Sequence, residues 1–197
     1  MGAPELLTFD AAAHVYRFMG SVVPGVTQVL QPLVDFSSVP AHVLEAKRDL
    51  GTRVHEACHY FDEDDLDEES VQADVEPYLE GWKRFIRESG ARVLFAEQRV
   101  FEPMLMYAGT LDAVVELDGV RWLIDRKTSI ATPMSTGPQT AAYQRALGDL
   151  TVTRRAAVRL RPDGTYRFDP LSGPDDWSCF MACLTLQRFK EKHRNDH

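Results

Sequence analysis

The chain has 197 residues, 44% of them apolar and 10% aromatic, a globular composition with enough material for a sizeable core in one domain. No apolar run approaches the ~20 residues that span a bilayer, and the opening MGAPELLTFD has neither a basic n-region nor an apolar h-region, so no membrane segment and a cytoplasmic location are expected. The formal net charge of -8 argues against a uniformly basic, nucleic-acid-coating surface, and three cysteines, Cys58, Cys179 and Cys183, are too few and odd in number for a disulfide framework.

Residues 6–18 read as a short hairpin, and Pro24-Gly25-Val26-Thr27 as a turn into a brief helix over 27–30. Pro40 opens a helix to about residue 61, with Val43, Leu44, Leu50, Val54 and Cys58 as its apolar positions; Gly51 falls inside it and is expected to break or restart it. Asp62, Glu63, Asp64, Asp65, Asp67, Glu68 and Glu69 then form an acidic run that reads as a solvated loop. A second helix is expected over 71–89, its stripe formed by Val75, Tyr78, Leu79, Trp82, Phe85 and Ile86, with Gly90 as its stop.

Three strands follow, at about 92–101, 106–117 and 121–127, the last two joined by a hairpin turn at Asp118-Gly119. Alternation predicts that Leu111, Ala113, Val115 and Leu117 share one face of the middle strand, with Asp112 on the other beside Thr110 and Val114. A helix from Gly137-Pro138 to about residue 147, a strand over 151–160, a turn at Asp163-Gly164, a strand at 166–168 and a helix over 175–193 complete the chain. Cys179 and Cys183 lie four apart on that last helix and read as core filling. Arginines gather in this half, at 154, 155, 159, 161 and 167. The element order predicts an α/β fold, a mixed central sheet flanked by helices. It fits one domain over 1–197, with a hairpin and short helix in 1–39 and the main helices and sheet in 40–197.

Two strand segments carry chemistry: Gly109-Thr110-Leu111-Asp112 and Leu123-Ile124-Asp125-Arg126-Lys127-Thr128. Asp125 and Lys127 project from one face of an extended strand and Arg126 from the other. Carboxylates are hard oxygen ligands for Mg2+ or Mn2+, and an ammonium beside them can hold an attacking water or offset charge growing on phosphorus. Metal coordination can bring the pKa of a bound water to about 7. A D-x-K string by itself is equally an exposed pair on a strand edge, so the surrounding residues must decide.

Those residues form an ordered set: Gly51-Thr52-Arg53-Val54-His55, then Glu97, then Gly109 with Asp112, then Asp125 with Lys127, then Gln139 with Tyr143. In this order they resemble the PD-(D/E)xK nuclease superfamily, and within it the RecB-like and phage-type exonucleases, over roughly residues 50–148. The resemblance implies a restriction-endonuclease-like core and a metal-dependent deoxyribonuclease of phage or prophage recombination. Asp112, Asp125 and Lys127 would be catalytic, and Asp112, Asp125, His55 and the backbone carbonyl of Arg126 would hold Mg2+ or Mn2+. Glu97 would touch a second metal or orient these ligands, and Gln139 and Tyr143, four apart on a helix, would face the site or the DNA backbone. DNA, a ring of further copies of the chain and a single-strand annealing protein are the partners it implies.

Two rival readings come from the same residues. His55-Glu56-Ala57-Cys58-His59 satisfies H-E-x-x-H, the zinc-protease pattern, with Glu76 or Glu80 as candidate third ligands. That reading leaves Asp112, Asp125, Lys127, Gln139 and Tyr143 unexplained. The other is a nuclease-fold DNA-binding module without catalysis, for which intact carboxylates and lysine have no use. An iron–sulfur nuclease would need four cysteines, and three do not supply them.

Overall fold

The computed structural model describes residues 6–194, so the ends of the expected 1–197 domain, 1–5 and 195–197, lie outside the described residues. Strands β1 (Leu7–Asp10), β2 (Val15–Phe18) and β3 (Ser21–Val23) make an antiparallel meander, one strand more than the expected hairpin. The short helix α1 (Val26–Val29) follows, then α2 (Ala41–Asp62) and α3 (Glu76–Ser89). The main sheet is built from β4 (Arg92–Glu102), β5 (Tyr107–Leu117), β6 (Val120–Lys127), β7 (Val152–Leu160) and β8 (Tyr166–Pro170), in that spatial order. Helix α4 (Thr136–Leu147) crosses between β6 and β7, the one parallel strand pair of this sheet among the described residues, and α5 (Asp176–Arg194) follows β8. This is the expected mixed sheet flanked by helices. Among the described residues no helix is long and apolar enough to cross a membrane.

Two apolar layers sandwich the sheet. On one face Val54 and Cys58 of α2 and Leu79, Trp82 and Phe85 of α3 pack with Ala113, Val115, Ile124 and Val158. On the other, α1, α4 and α5 contribute Val29, Tyr143, Leu147, Phe180, Cys183 and Leu184 against Tyr107, Leu111, Val114 and Leu123. Burying each large side chain contributes roughly 1.5–3 kcal/mol, enough to hold both layers without a disulfide. Asp118 and Gly119 both take positive φ in the β5–β6 hairpin, as the two-residue turn requires.

Four expectations need correction. Helix α2 runs unbroken through Gly51, because its packed stripe outweighs the ~1 kcal/mol that one interior glycine costs. Helix α3 begins at Glu76, not residue 71, with Pro77 in its first turn; Glu68–Ser70 make only a 3-10 turn before it. Asp62 is the last residue of α2, its side chain fully inaccessible, and does not belong to the solvated acidic loop. Finally, Leu111 does not share a face with Ala113 and Val115. It packs with Val114 in the opposite layer, so the alternation of β5 breaks at Asp112.

Candidate functional site

That break marks a fork in the sheet. Strands β5 and β6 pair from Leu117 with Val120 to Ala113 with Ile124, and stop. On its other edge β5 pairs with β4 at Ala96 with Ala113 and at Gln98 with Leu111, passing over Glu97 and Asp112. Glu97 takes φ of +46°, a conformation side-chain-bearing residues rarely adopt within a strand and one that tends to mark a working site. Asp112 thus sits where ladder bonds are missing on both sides.

Arg126 fills the gap from β6. Its backbone N–H donates to Asp112 Oδ2 at 2.6 Å, and its Nη2 donates to the Asp112 carbonyl at 2.9 Å and to Glu97 Oε1 at 3.3 Å. Its Nη1 donates to Asp62 Oδ2 at 2.8 Å, and the guanidinium lies over the Trp82 ring, 4.9 Å from its centroid. Trp82 Nε1 donates to Asp62 Oδ1 at 2.7 Å. Burial pushes the Asp62 carboxyl upward, against the opposing pull of Arg126 and Trp82.

On α2, His55 points its Nδ1 at the fork, 3.5 Å from Asp112 Oδ1 and 3.8 Å from Glu97 Oε1. Ligating atoms of His55, Glu97 and Asp112 all lie within 4.8 Å of one another, close enough to share one cation. His55 and Glu97 are part-exposed while Asp112 is buried, so the cluster opens to solvent on one side. Burial alone would lower the His55 pKa, but the charges of Asp112 and Glu97 outweigh it and the net shift is upward.

Asp125 and Lys127 occupy the α4 side of β6. Lys127 Nζ lies 2.8 Å from Asp125 Oδ2 and donates to Gln139 Oε1 at 3.2 Å; Gln139 Nε2 donates to Tyr143 OH at 3.3 Å. The Lys127 ammonium is the charge partner of a carboxylate only 1% exposed, whose other oxygen, Oδ1, has no hydrogen-bond partner among the described residues. Burial drives the Asp125 pKa up to about 6, opposed by Lys127 and reinforced by Asp112. For Lys127 burial pulls down, and the charges of Asp125 and Asp112 more than offset it. A cluster of two carboxylates and an imidazole, beside a further buried carboxylate, suits a divalent cation.

His55, Glu97, Asp112, Asp125, Lys127, Gln139 and Tyr143, the residues singled out in the sequence, all lie around this fork. Asp125 stands outside the close-set three, which include Glu97 in its place. Gly109 is explained by close approach: a Cβ there would overlap Tyr143 Cε1 and come within 3.3 Å of Val26 Cγ2. Three participants were missed: the Arg126 side chain, Asp62 and Trp82. Asp62 follows His55 by seven residues, two helical turns, and that spacing was the available signal. Of the H-E-x-x-H string, only His55 joins a ligating cluster among the described residues; Glu56, His59, Glu76 and Glu80 do not.

No family model matches the chain, and no curated protein matches it. Among solved structures, the crystal structure of LHK-Exo in complex with dAMP is similar at 17% sequence identity over 89% of this chain and 95% of that one, with a TM-score of 0.32. So loose a superposition leaves the functional assignment to the residues themselves.

Proposed function

We propose that the chain is a metal-dependent deoxyribonuclease that hydrolyses phosphodiester bonds, and that it acts as an exonuclease of the phage recombination type. The observation that carries this is the convergence of His55, Glu97 and Asp112 at a sheet fork whose next strand presents Asp125 and Lys127. In this reading Asp112, Asp125, His55 and the Arg126 carbonyl hold Mg2+ or Mn2+, with Glu97 as a further carboxylate. When bound, the ion would polarise the phosphate and acidify a water. Lys127 would orient the attacking water and offset charge on the phosphoryl oxygens while the water oxygen bonds to phosphorus and the P–O ester bond breaks. The water's proton would pass to solvent, and the departing oxygen would take one up from solvent. Gln139 holds the Lys127 ammonium in place, and Tyr143 holds Gln139.

The test is incubation of the purified protein with linear duplex and single-stranded DNA in Mg2+ or Mn2+. Degradation of at least one, abolished by Asp125→Ala and by Lys127→Ala, is expected. Hydrolysis that survives both substitutions would overturn the reading. Proteolysis lost in Glu56→Ala would establish the zinc-protease alternative instead.

A further inference from the structure

The ladder around Asp112 is broken on both edges, yet the residue is buried and held by Arg126, whose backbone N–H takes the carboxylate and whose guanidinium takes the main-chain carbonyl in place of a strand partner. We propose that Arg126 is the positioning residue of this site and Asp62 its anchor: the guanidinium, in place of sheet pairing, sets where Glu97 and Asp112 present their carboxylates to a divalent ion. The inference rests on the metal-site reading above, which uses only the Arg126 carbonyl, and adds the Arg126 side chain and Asp62.

Three features point beyond a structural ion pair. The guanidinium spends separate N–H groups on Asp62, on Glu97 and on the Asp112 carbonyl, so it ties the end of α2 to both carboxylate-bearing strands at once. Only a planar fork of five donors can do this; a lysine carries the same charge from a single point. The Trp82 ring beneath it and the Trp82 Nε1 bond to Asp62 fix the plane and anchor of that fork. Glu97, the acceptor it holds, is the strained residue of β4, and its φ of +46° turns its carboxylate toward the same point as His55 and Asp112.

The sign of one measurement separates positioning from charge. Arg126 is a cation beside a cation site, so if it acted through charge alone its removal would tighten metal binding. A positioning role predicts the reverse. Mn2+ affinity, measured by titration calorimetry on protein shown to be folded by circular dichroism, is the readout, with DNA hydrolysis followed separately. Arg126→Lys, which keeps the charge, and Arg126→Met, which removes it, are both expected to weaken Mn2+ binding by about 10–100-fold, the usual loss when a group orienting a metal ligand is altered. Asp62→Asn leaves Arg126 in place and is expected to weaken binding less, with its effect disappearing in an Arg126→Lys background.

Where Arg126→Met does not fold, Arg126→Lys and Asp62→Asn carry the same test. Unchanged or tighter Mn2+ binding in the folded Arg126 variants would overturn the proposal, as would an Asp62→Asn effect that persists undiminished beside Arg126→Lys. Wild-type protein that binds no Mn2+ would overturn both this proposal and the metal-site reading. Wild-type protein that binds Mn2+ but leaves DNA intact would overturn the nuclease reading alone.

Discussion

Asp125 and Arg126 are neighbours on one strand, equally cut off from solvent, and opposite in how well they are satisfied. Arg126 faces α2 and α3, where carboxylates, a carbonyl and an indole ring meet its terminal nitrogens; only its Nε lacks a partner. Asp125 faces α4 with the Lys127 ammonium paired to one oxygen and no partner for the other among the described residues. Burial of a carboxylate costs stability, and here the Lys127 ammonium offsets only part of that cost, since the Asp125 pKa still rises. The contrast teaches that one side of the strand is a finished support, while on the other a buried carboxylate rests on a single ammonium.

The largest expected effect comes from breaking the finished side. Arg126→Met strands Asp62 with Trp82 as its remaining partner and should cost about 3–5 kcal/mol of unfolding free energy in urea, the range for splitting a buried ion pair. Adding Asp62→Leu should recover most of that, because a buried pair replaced whole by apolar groups is often neutral. A loss under about 1 kcal/mol for Arg126→Met would mean that Arg126 is not a support, and the contrast between the two sides would fail.

The unfinished side is probed by pH and metal. The Asp125 carboxyl has a folded pKa near 6, above its ordinary value of 3.8, so the fold binds its proton more tightly than the unfolded chain does. Its contribution to stability is therefore full below the unfolded pKa and is lost as pH rises through about 6. The raised His55 pKa has the same sign. A divalent ion removes the penalty above pH 6 and must displace protons below it. At pH 7.5, Mn2+ at 100 times its dissociation constant should stabilise the fold by about 2.7 kcal/mol, and the same concentration at pH 5 should do far less. Equal stabilisation at both pH values in thermal melts would separate the bound ion from Asp125.

Next in size is Gly109→Ala, which sets the α4 side against its own packing. The new methyl meets the Tyr143 ring, and overpacking of this kind costs about 1–3 kcal/mol. Because Tyr143 holds Gln139 and Gln139 holds Lys127, DNA hydrolysis should fall further than stability does. Loss of stability with hydrolysis intact would uncouple that relay from Lys127.

Much of this could be read from the chain because it depends on local pattern. Periodicity located the helices and strands, Asp118-Gly119 located the hairpin, and the two-residue spacing of Asp125 and Lys127 put both on one face of β6. What could not be read depends on contacts between elements. Alternation cannot announce its own failure at Asp112, since the fork arises from how β4, β5 and β6 meet. From the sequence Arg126 mattered only through its backbone carbonyl, whereas its side chain works through acceptors drawn from 14, 29 and 64 residues away. Asp62 was grouped with its acidic neighbours because composition averages over burial, whereas the end of α2 divides the run into one buried carboxylate and an exposed remainder.

The smallest expected effect tests that division. Asp65→Asn removes a charge three residues beyond Asp62 in sequence, but from an exposed loop, and should shift unfolding free energy by no more than about 0.5 kcal/mol. Asp62→Asn removes the same charge from between Arg126 and Trp82 and weakens two buried hydrogen bonds, so it should cost more than about 1 kcal/mol. High salt adds a second axis, since screening acts on the exposed carboxylate and hardly on the buried one. If the two substitutions cost the same and respond alike to salt, Asp62 is no more than a member of the acidic run, and the support attributed to Arg126 loses its anchor.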